Sequence, residues 1–217
     1  MKKTNRIILW SSIAVLVIGS AFAMAKLANK PQAVENGSNL ALTINAISDT
    51  ENVKGNKEAK ITLIEYSDFQ CPACAAYYPL LKQISAEFGN DVRFAYRHFP
   101  LPQHKNAKIA GIAAEAAGKQ GKFWEMHDMI FENQRDWAEE KDAAAIFANY
   151  AADLGLDLTK FSNDISSQEI KDKIDSDYKS GLKAKVNSTP SFFLNGKKIN
   201  NPRNYDEMKA LIQAELQ

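Results

Sequence analysis

The chain has 217 residues but only two cysteines and three histidines. Two cysteines cannot make a disulfide-stapled scaffold, and a zinc site built on them would have to borrow histidines or carboxylates. Ten glycines and seven prolines are too few for a collagen-like or low-complexity chain. Charge of either sign is not in surplus, with 27 Lys and Arg against 26 Asp and Glu. Three of those bases (Lys2, Lys3 and Arg6) lie in the first 25 positions, where no acid occurs, leaving 24 basic against 26 acidic residues. No basic excess remains to neutralise phosphates, so nucleic acid is not an expected partner. What is present is ordinary globular material, 45% hydrophobic and 24% charged, of a length that suits one domain or one domain with a large insertion.

The first long apolar stretch runs from residue 7 to residue 25 without a charge, behind the basic flank Lys2-Lys3-Arg6. A basic flank before an apolar run is an export signal whose basic side stays in the cytoplasm. At about 1.5 Å per residue the run nearly crosses a hydrocarbon core of ~30 Å, which favours an anchor in the bacterial cytoplasmic membrane. Ala21-Phe22-Ala23 and Ala23-Met24-Ala25 also fit the small-x-small cleavage pattern, so a periplasmic or secreted product after cleavage stays open. Either way the domain is expected outside the cytoplasm, where disulfides persist. Residues 26–57 are polar, with Pro31, Asn36-Gly37-Ser38 and Gly55, and read as a tether with a short element near 40–47.

The folded domain is expected over 58–217. The segment from Lys60 to Tyr66 is β-branched and apolar, as a buried strand would be. From Pro72 to Phe88 apolar residues recur at helical spacing, with proline at the start and Gly89-Asn90 at the end. Val92 to Phe99 reads as a second strand, and strand–helix–strand makes a βαβ unit with parallel strands. Residues 104–182 are alanine-dense and read as several helical stretches punctuated by Gly118, Gly121 and Gly155, a helical insertion in an otherwise α/β chain. The sheet resumes at Ser191-Phe192-Phe193-Leu194, and Asn195-Gly196 predicts a hairpin. Tyr205 to Leu216 predicts a closing helix.

Between the first strand and its helix stands Cys71-Pro72-Ala73-Cys74. A cysteine at a helix start lies among unsatisfied N–H groups at the positive end of the dipole, which favours its thiolate. Cys74, one turn later, starts deeper against the sheet. An exposed attacking sulfur backed by a shielded resolving one is the arrangement that thiol–disulfide exchange needs. A half zinc site completed by His98, His104 or His127 would lack a second Cys-x-x-Cys or a His-x₃₋₅-His. A purely structural disulfide would close too short a loop to remove much chain entropy. Glu65, inside the apolar strand, is costly unless protonated or partnered, and otherwise must be an edge-strand acid facing water. His98 and His104 read as loop or strand-end residues and His127 as packing within the insertion. Phe69, Tyr77, Tyr78, Phe123 and Trp124 read first as core or rim.

The segment Thr62 to Cys74 resembles the active-site segment of the DsbA-like thiol–disulfide oxidoreductases, which have the thioredoxin fold. Val186-Asn-Ser-Thr-Pro-Ser-Phe-Phe-Leu-Asn-Gly196 resembles their cis-proline loop, and Gln120-Gly-Lys-Phe-Trp-Glu-Met126 a segment of their helical insertion. The resemblance covers about residues 59 to 216. It implies Cys71 as nucleophile, Cys74 as resolving cysteine and Pro72-Ala73 as the residues between them. It implies a cis bond before Pro190, with the Thr189 backbone pairing with a bound substrate strand, and it makes Glu65 the buried acid that could take the Cys74 proton during exchange. No cofactor beyond the redox-active Cys71–Cys74 disulfide and no metal is expected. The implied partners are reduced, unfolded exported proteins as clients, a membrane quinone-linked thiol oxidase as re-oxidant, and the membrane through the N-terminal segment; the chain is expected to be a monomer. Two positions depart from the family: Ala73 stands where strongly oxidising members carry histidine, and Ser188 where glycine is usual. The rivals are a reductase or isomerase with the same chemistry, and a non-enzymatic peptide-binding chaperone module with structural cysteines. Isomerases of this superfamily dimerise through a separate N-terminal domain, for which residues 26–57 are too few and too polar.

Overall fold

The computed structural model describes residues 44, 46–48 and 51–217. The expected signal or anchor at 1–25, and most of the expected tether at 26–57, lie outside the described residues. Among the described residues no helix is long and apolar enough to cross a membrane.

The βαβ unit forms as the apolar pattern predicts. Strand β2 (Ile61–Ser67) runs into helix α1 (Pro72–Phe88), which returns to β3 (Val92–His98). The two strands pair in parallel, with Ile61 opposite Val92 and Glu65 opposite Tyr96. Strand β4 (Ser191–Leu194) adds antiparallel to the other side of β2 and turns through Asn195-Gly196 into β5 (Lys197–Lys198). Asn195 and Gly196 have φ of 47° and 79°, the left-handed pair that a two-residue hairpin of matching twist requires. Helix α8 (Tyr205–Glu215) closes the chain, its first turn capped by the Asn204 side chain. The insertion consists of six helices: α2 (Ala107–Gly118), α3 (Phe123–Glu132), α4 (Gln134–Trp137), α5 (Ala143–Asp153), α6 (Leu158–Asp164) and α7 (Gln168–Lys183).

The domain begins earlier than residue 58. Val53–Gly55 forms a further strand, β1, antiparallel to β3, which makes the sheet order β1-β3-β2-β4-β5. Ile44 and Ile47 pack against the sheet, and Glu51 receives two 2.9 Å hydrogen bonds from the buried Arg97. Three residues show no period of their own, and their pairing is with a strand about forty residues away; the polar composition therefore reads as linker.

Alternation along β2 sorts its side chains between two cores. Ile61 and Leu63 join Leu81, Ile84, Met208 and Ile212 under α1 and α8, while Ile64 and Tyr66 join Phe99, Val186 and Phe193 on the opposite face. Glu65 and Ser67 continue the α1 face. The second core is tight enough to demand glycine on α7. A Cβ at Gly181 would stand 2.6 Å from Phe99 Cδ2 and 3.0 Å from Tyr66 Cδ1. Phe99 is itself held by stacking on Tyr178 at 4.7 Å between ring centroids. Alanine in a helix gains ~1 kcal/mol over glycine, whereas overpacking a core costs about 1–3 kcal/mol. Gly181→Ala should therefore lower the urea midpoint; a raised midpoint would mean that Phe99 can give way.

Candidate active site

The turn between β2 and α1 is pinned by the insertion. Asp68 is buried: its Oδ1 accepts from the Gln70 amide and its Oδ2 from the Leu101 amide, both at 2.7 Å, and His104 Nδ1 lies 2.7 Å from Oδ2. Gln70 accepts from the Asn106 amide at 2.7 Å and donates to the Ala138 carbonyl at 2.6 Å. Gln134 of α4 donates to the carbonyls of Phe69 and Cys71, at 2.7 and 3.0 Å. These bonds satisfy backbone groups that a buried turn would otherwise orphan.

Cys71 is the N-cap residue of α1, with φ −71° and ψ 121°, and Pro72 is the first helical residue. An N-cap side chain lies over the second and third helical amides, here those of Ala73 and Cys74. The hydrogen bond from Cys74 contributes most to holding the Cys71 thiol well below its ordinary range; burial opposes it, and Thr189 and the Ala73 and Cys74 amides add to it. Cys74 is pushed the other way. It is 1% exposed, and burial, the Cys71 sulfur and the Glu65 carboxyl all raise its thiol. Both cysteines are free thiols. The loop before β4 closes the site from the side. Thr189–Pro190 is cis, and the Thr189 carbonyl lies 3.5 Å from Cys71 Sγ. Ser191 Oγ donates to the Ser188 carbonyl, and Asn201 holds the Pro190 carbonyl, both at 2.8 Å.

Beneath Cys74 lie the acid and two hydroxyls. Glu65 is 1% exposed on a strand paired on both sides, so it is not an edge acid facing water. Burial raises its pKa to about 8, against a 2.7 Å hydrogen bond from Ser67 Oγ that opposes the shift. The Tyr96 hydroxyl is buried with them, its ionisation suppressed first by burial and then by Glu65 and Cys74. Among the described residues no group of three or more His, Cys, Asp and Glu side chains gathers as a metal site would need.

A family model described as Thioredoxin matches residues 48–214. The chain belongs to this family, in its DsbA-like form. In fold it is similar to oxidised BdbD of Bacillus subtilis, with a TM-score of 0.68 and 25% identity over 76% of this chain and 92% of that one. The thiol–disulfide exchange protein alpha-DsbA2 of Wolbachia pipientis shares the fold at a TM-score of 0.69 and 16% identity, over 78% and 89% of the two chains. Curated relatives include the Na(+)/H(+) antiporter NhaA 3 of Salinispora tropica, 34% identical over 76% of this chain but 25% of that protein. The Herminiimonas arsenicoxydans NhaA is 32% identical over 76% of this chain and 26% of that protein. The chain thus spans about a quarter of the length of these relatives, and the antiporter name belongs to those longer chains.

Against the DsbA-like pattern, the structure brings Cys71, Cys74, Glu65, Thr189 and Pro190 to one place, with Pro72 and Ala73 exposed above them. One expectation changes: Cys71 is not an exposed sulfur, because the Thr189 loop covers it to 7% exposure. Four residues the sequence reading passed over take part in the site: Ser67, Tyr96, Asp68 and Gln134. Asp68 lies between Ser67 and Phe69 with Gln70 next, so its sequence neighbours, unlike those of Glu65, do not mark it as a buried acid. His104 is tied to Asp68, and His98 Nε2 lies 3.0 Å from Glu115, so neither reaches the sulfurs.

Glu65 makes a pH prediction. Its folded pKa is raised, so the neutral form contributes fully below the ordinary carboxyl range. That contribution is lost as pH rises from about 4.5 through about 8. In the reduced protein Glu65→Gln should track wild type at low pH and become progressively more stable than wild type up to pH 8, by a few kcal/mol. Chemical denaturation across that window checks it, and parallel curves would mean that Glu65 ionises as an exposed acid does.

Proposed function

We propose that this chain is an extracytoplasmic thiol–disulfide oxidoreductase that donates its Cys71–Cys74 disulfide to reduced, unfolded exported proteins. The observation that carries the reading is a pair of free thiols one helical turn apart, Cys71 at the N-cap of α1 beside the cis-Pro190 loop and Cys74 buried behind it. A client thiolate attacks Cys71 Sγ, the Cys71–Cys74 bond breaks, and Cys74 leaves. Its thiolate would be buried, and Glu65, largely protonated at neutral pH, supplies the proton. A second client thiolate then attacks the client sulfur of the mixed disulfide, and Cys71 leaves as its stabilised thiolate. The client gains a disulfide and the pair gains two electrons, which a membrane quinone-linked thiol oxidase removes. The Thr189 backbone, whose carbonyl lies beside Cys71, would pair with a client strand during the mixed-disulfide stage, as the DsbA-like resemblance implies.

The polar stretch after the apolar run at 7–25 would leave this domain outside the membrane, whether that run anchors the chain or is cleaved. Direction follows from the thiolate. The stabilised charge exists only in the reduced protein, so whatever stabilises it makes the disulfide a stronger oxidant. Ala73 adds no side-chain donor, which leaves a weaker oxidant than histidine-bearing relatives.

The test is oxidation of a reduced, denatured client by stoichiometric oxidised protein. Wild type should oxidise it, Cys71→Ser should do nothing, and Cys74→Ser should trap client mixed disulfides on Cys71. Faster alkylation of Cys74 than of Cys71 in the reduced protein would overturn the division of roles. Failure to oxidise the client, with efficient reduction of a disulfide-bonded one, would give the reductase reading.

A further inference from the structure

Glu65 must recover its proton from solvent after each transfer, yet it is 1% exposed beneath a packed helix. A small cavity of about 10 Å³ reaches it, and its lining includes the buried Glu65, Cys74 and His127 and the partly exposed Asp128, Lys54 and Lys82. That is about the volume one water needs. His127 of α3 is buried in an aromatic cage, with the rings of Trp124, Phe131 and Tyr96 at 5.0, 5.0 and 5.2 Å between centroids. Its Nδ1 lies 2.9 Å from Asp128 Oδ1, and Asp128 is 22% exposed. An imidazole costs free energy in such a cage, and a packing role alone would be filled better by a hydrocarbon.

We propose that His127 and Asp128 relay protons between Glu65 and solvent. The inference rests on the reading of Glu65 as the acid that serves Cys74. When Cys74 has taken the Glu65 proton, one proton enters at Asp128, one leaves His127 for the Glu65 carboxylate, and the imidazole ends neutral. When Cys74 attacks, the same proton count runs outward: Glu65 first discharges to solvent, then accepts from Cys74. Burial lowers the His127 pKa, so the ring rests neutral and is free to accept, while Asp128 pulls the other way. The charged and titratable groups around the ring are Lys54 on β1, Glu65 on β2, Tyr96 and His98 on β3, Cys74, Tyr78 and Lys82 on α1, and Asp128 on α3. Burial opposes the ionisation of Asp128, but its hydrogen bond with His127, aided by Lys54 and Lys82 at 3.8 and 3.6 Å, holds its carboxyl below the usual range.

The test is the rate at which Cys74 displaces glutathione from a Cys71–glutathione mixed disulfide in the full chain, followed against pH and buffer concentration. His127→Gln, with its fold checked by circular dichroism, should slow this step by about tenfold or more near pH 7. Imidazole buffer should restore the rate in proportion to its concentration, while wild type stays indifferent to buffer. In a Glu65→Gln background the same substitution should have no further effect. Rates equal to wild type in His127→Gln, with Glu65→Gln slow, would overturn the relay and leave the role of Glu65 standing. A loss that buffer does not restore, or that persists in the Glu65→Gln background, would make His127 structural and also overturn the relay. If Glu65→Gln itself resolves at the wild-type rate, the acid's role fails and the relay falls with it. Should His127→Gln not fold, Asp128→Asn on the half-buried rim takes the same measurements, with a slowed, buffer-restored rate expected and an unchanged one overturning the relay.

Discussion

The contact of the Cys71 sulfur with Cys74 and with the first turn of α1, which lowers its pKa to about 5, is the interaction on which the rest of the site depends. A thiolate is stable in a nearly buried position only where donors meet it. Here those donors are the first turn of α1 and the thiol of Cys74. Placing that turn takes most of the molecule. Strand β2 aims the chain at the helix start, and Pro72 commits the next residue to helix. The insertion then clamps the turn: Gln134 holds the carbonyls of Phe69 and Cys71, and Asp68 gathers the 101–104 loop beside it. The insertion is therefore part of the site's support as well as a cover for it.

The same geometry separates the two sulfurs. One turn of helix moves Cys74 from the donor-rich end of α1 to the dry face above β2, where alternation puts Glu65 and Ser67 on the α1 side. A carboxyl raised to about 8 is poorly suited to be a permanent charge and well suited to exchange a proton near neutral pH. On the proposed reading, a leaving thiolate in that position takes its proton from the neutral acid beneath it. The difference in chemistry between Cys71 and Cys74 thus follows from a helical period of about 3.6 residues set against a strand period of two.

Much of this was legible in the sequence, because the signals were local. The apolar run of β2, the Pro72 start of α1, the Asn195-Gly196 hairpin and the cysteine spacing each act over a few residues, and the observed elements follow them within a residue or two. Glu65 stood out as an acid in a buried strand. What escaped was what depends on contacts distant in the chain. Strand β1 exists only through its pairing with β3. Gln134 touches a carbonyl 63 residues away, and the cover on Cys71 comes from a loop 118 residues away. His127 reads as a packing residue from its helical neighbours, and only the folded cage shows it sharing a cavity with Glu65 and Cys74.

The central claim is that the site is built to favour the reduced pair, and the reduction potential of Cys71–Cys74 tests it most directly. Equilibration of the intact domain with glutathione at neutral pH should give a potential well above the ~−270 mV of thioredoxin. With it, the reduced form should be more stable to denaturant than the oxidised form. A potential at or below that value, with the oxidised form the more stable, would contradict the account, because the thiolate would then not be the charge the structure is organised to hold.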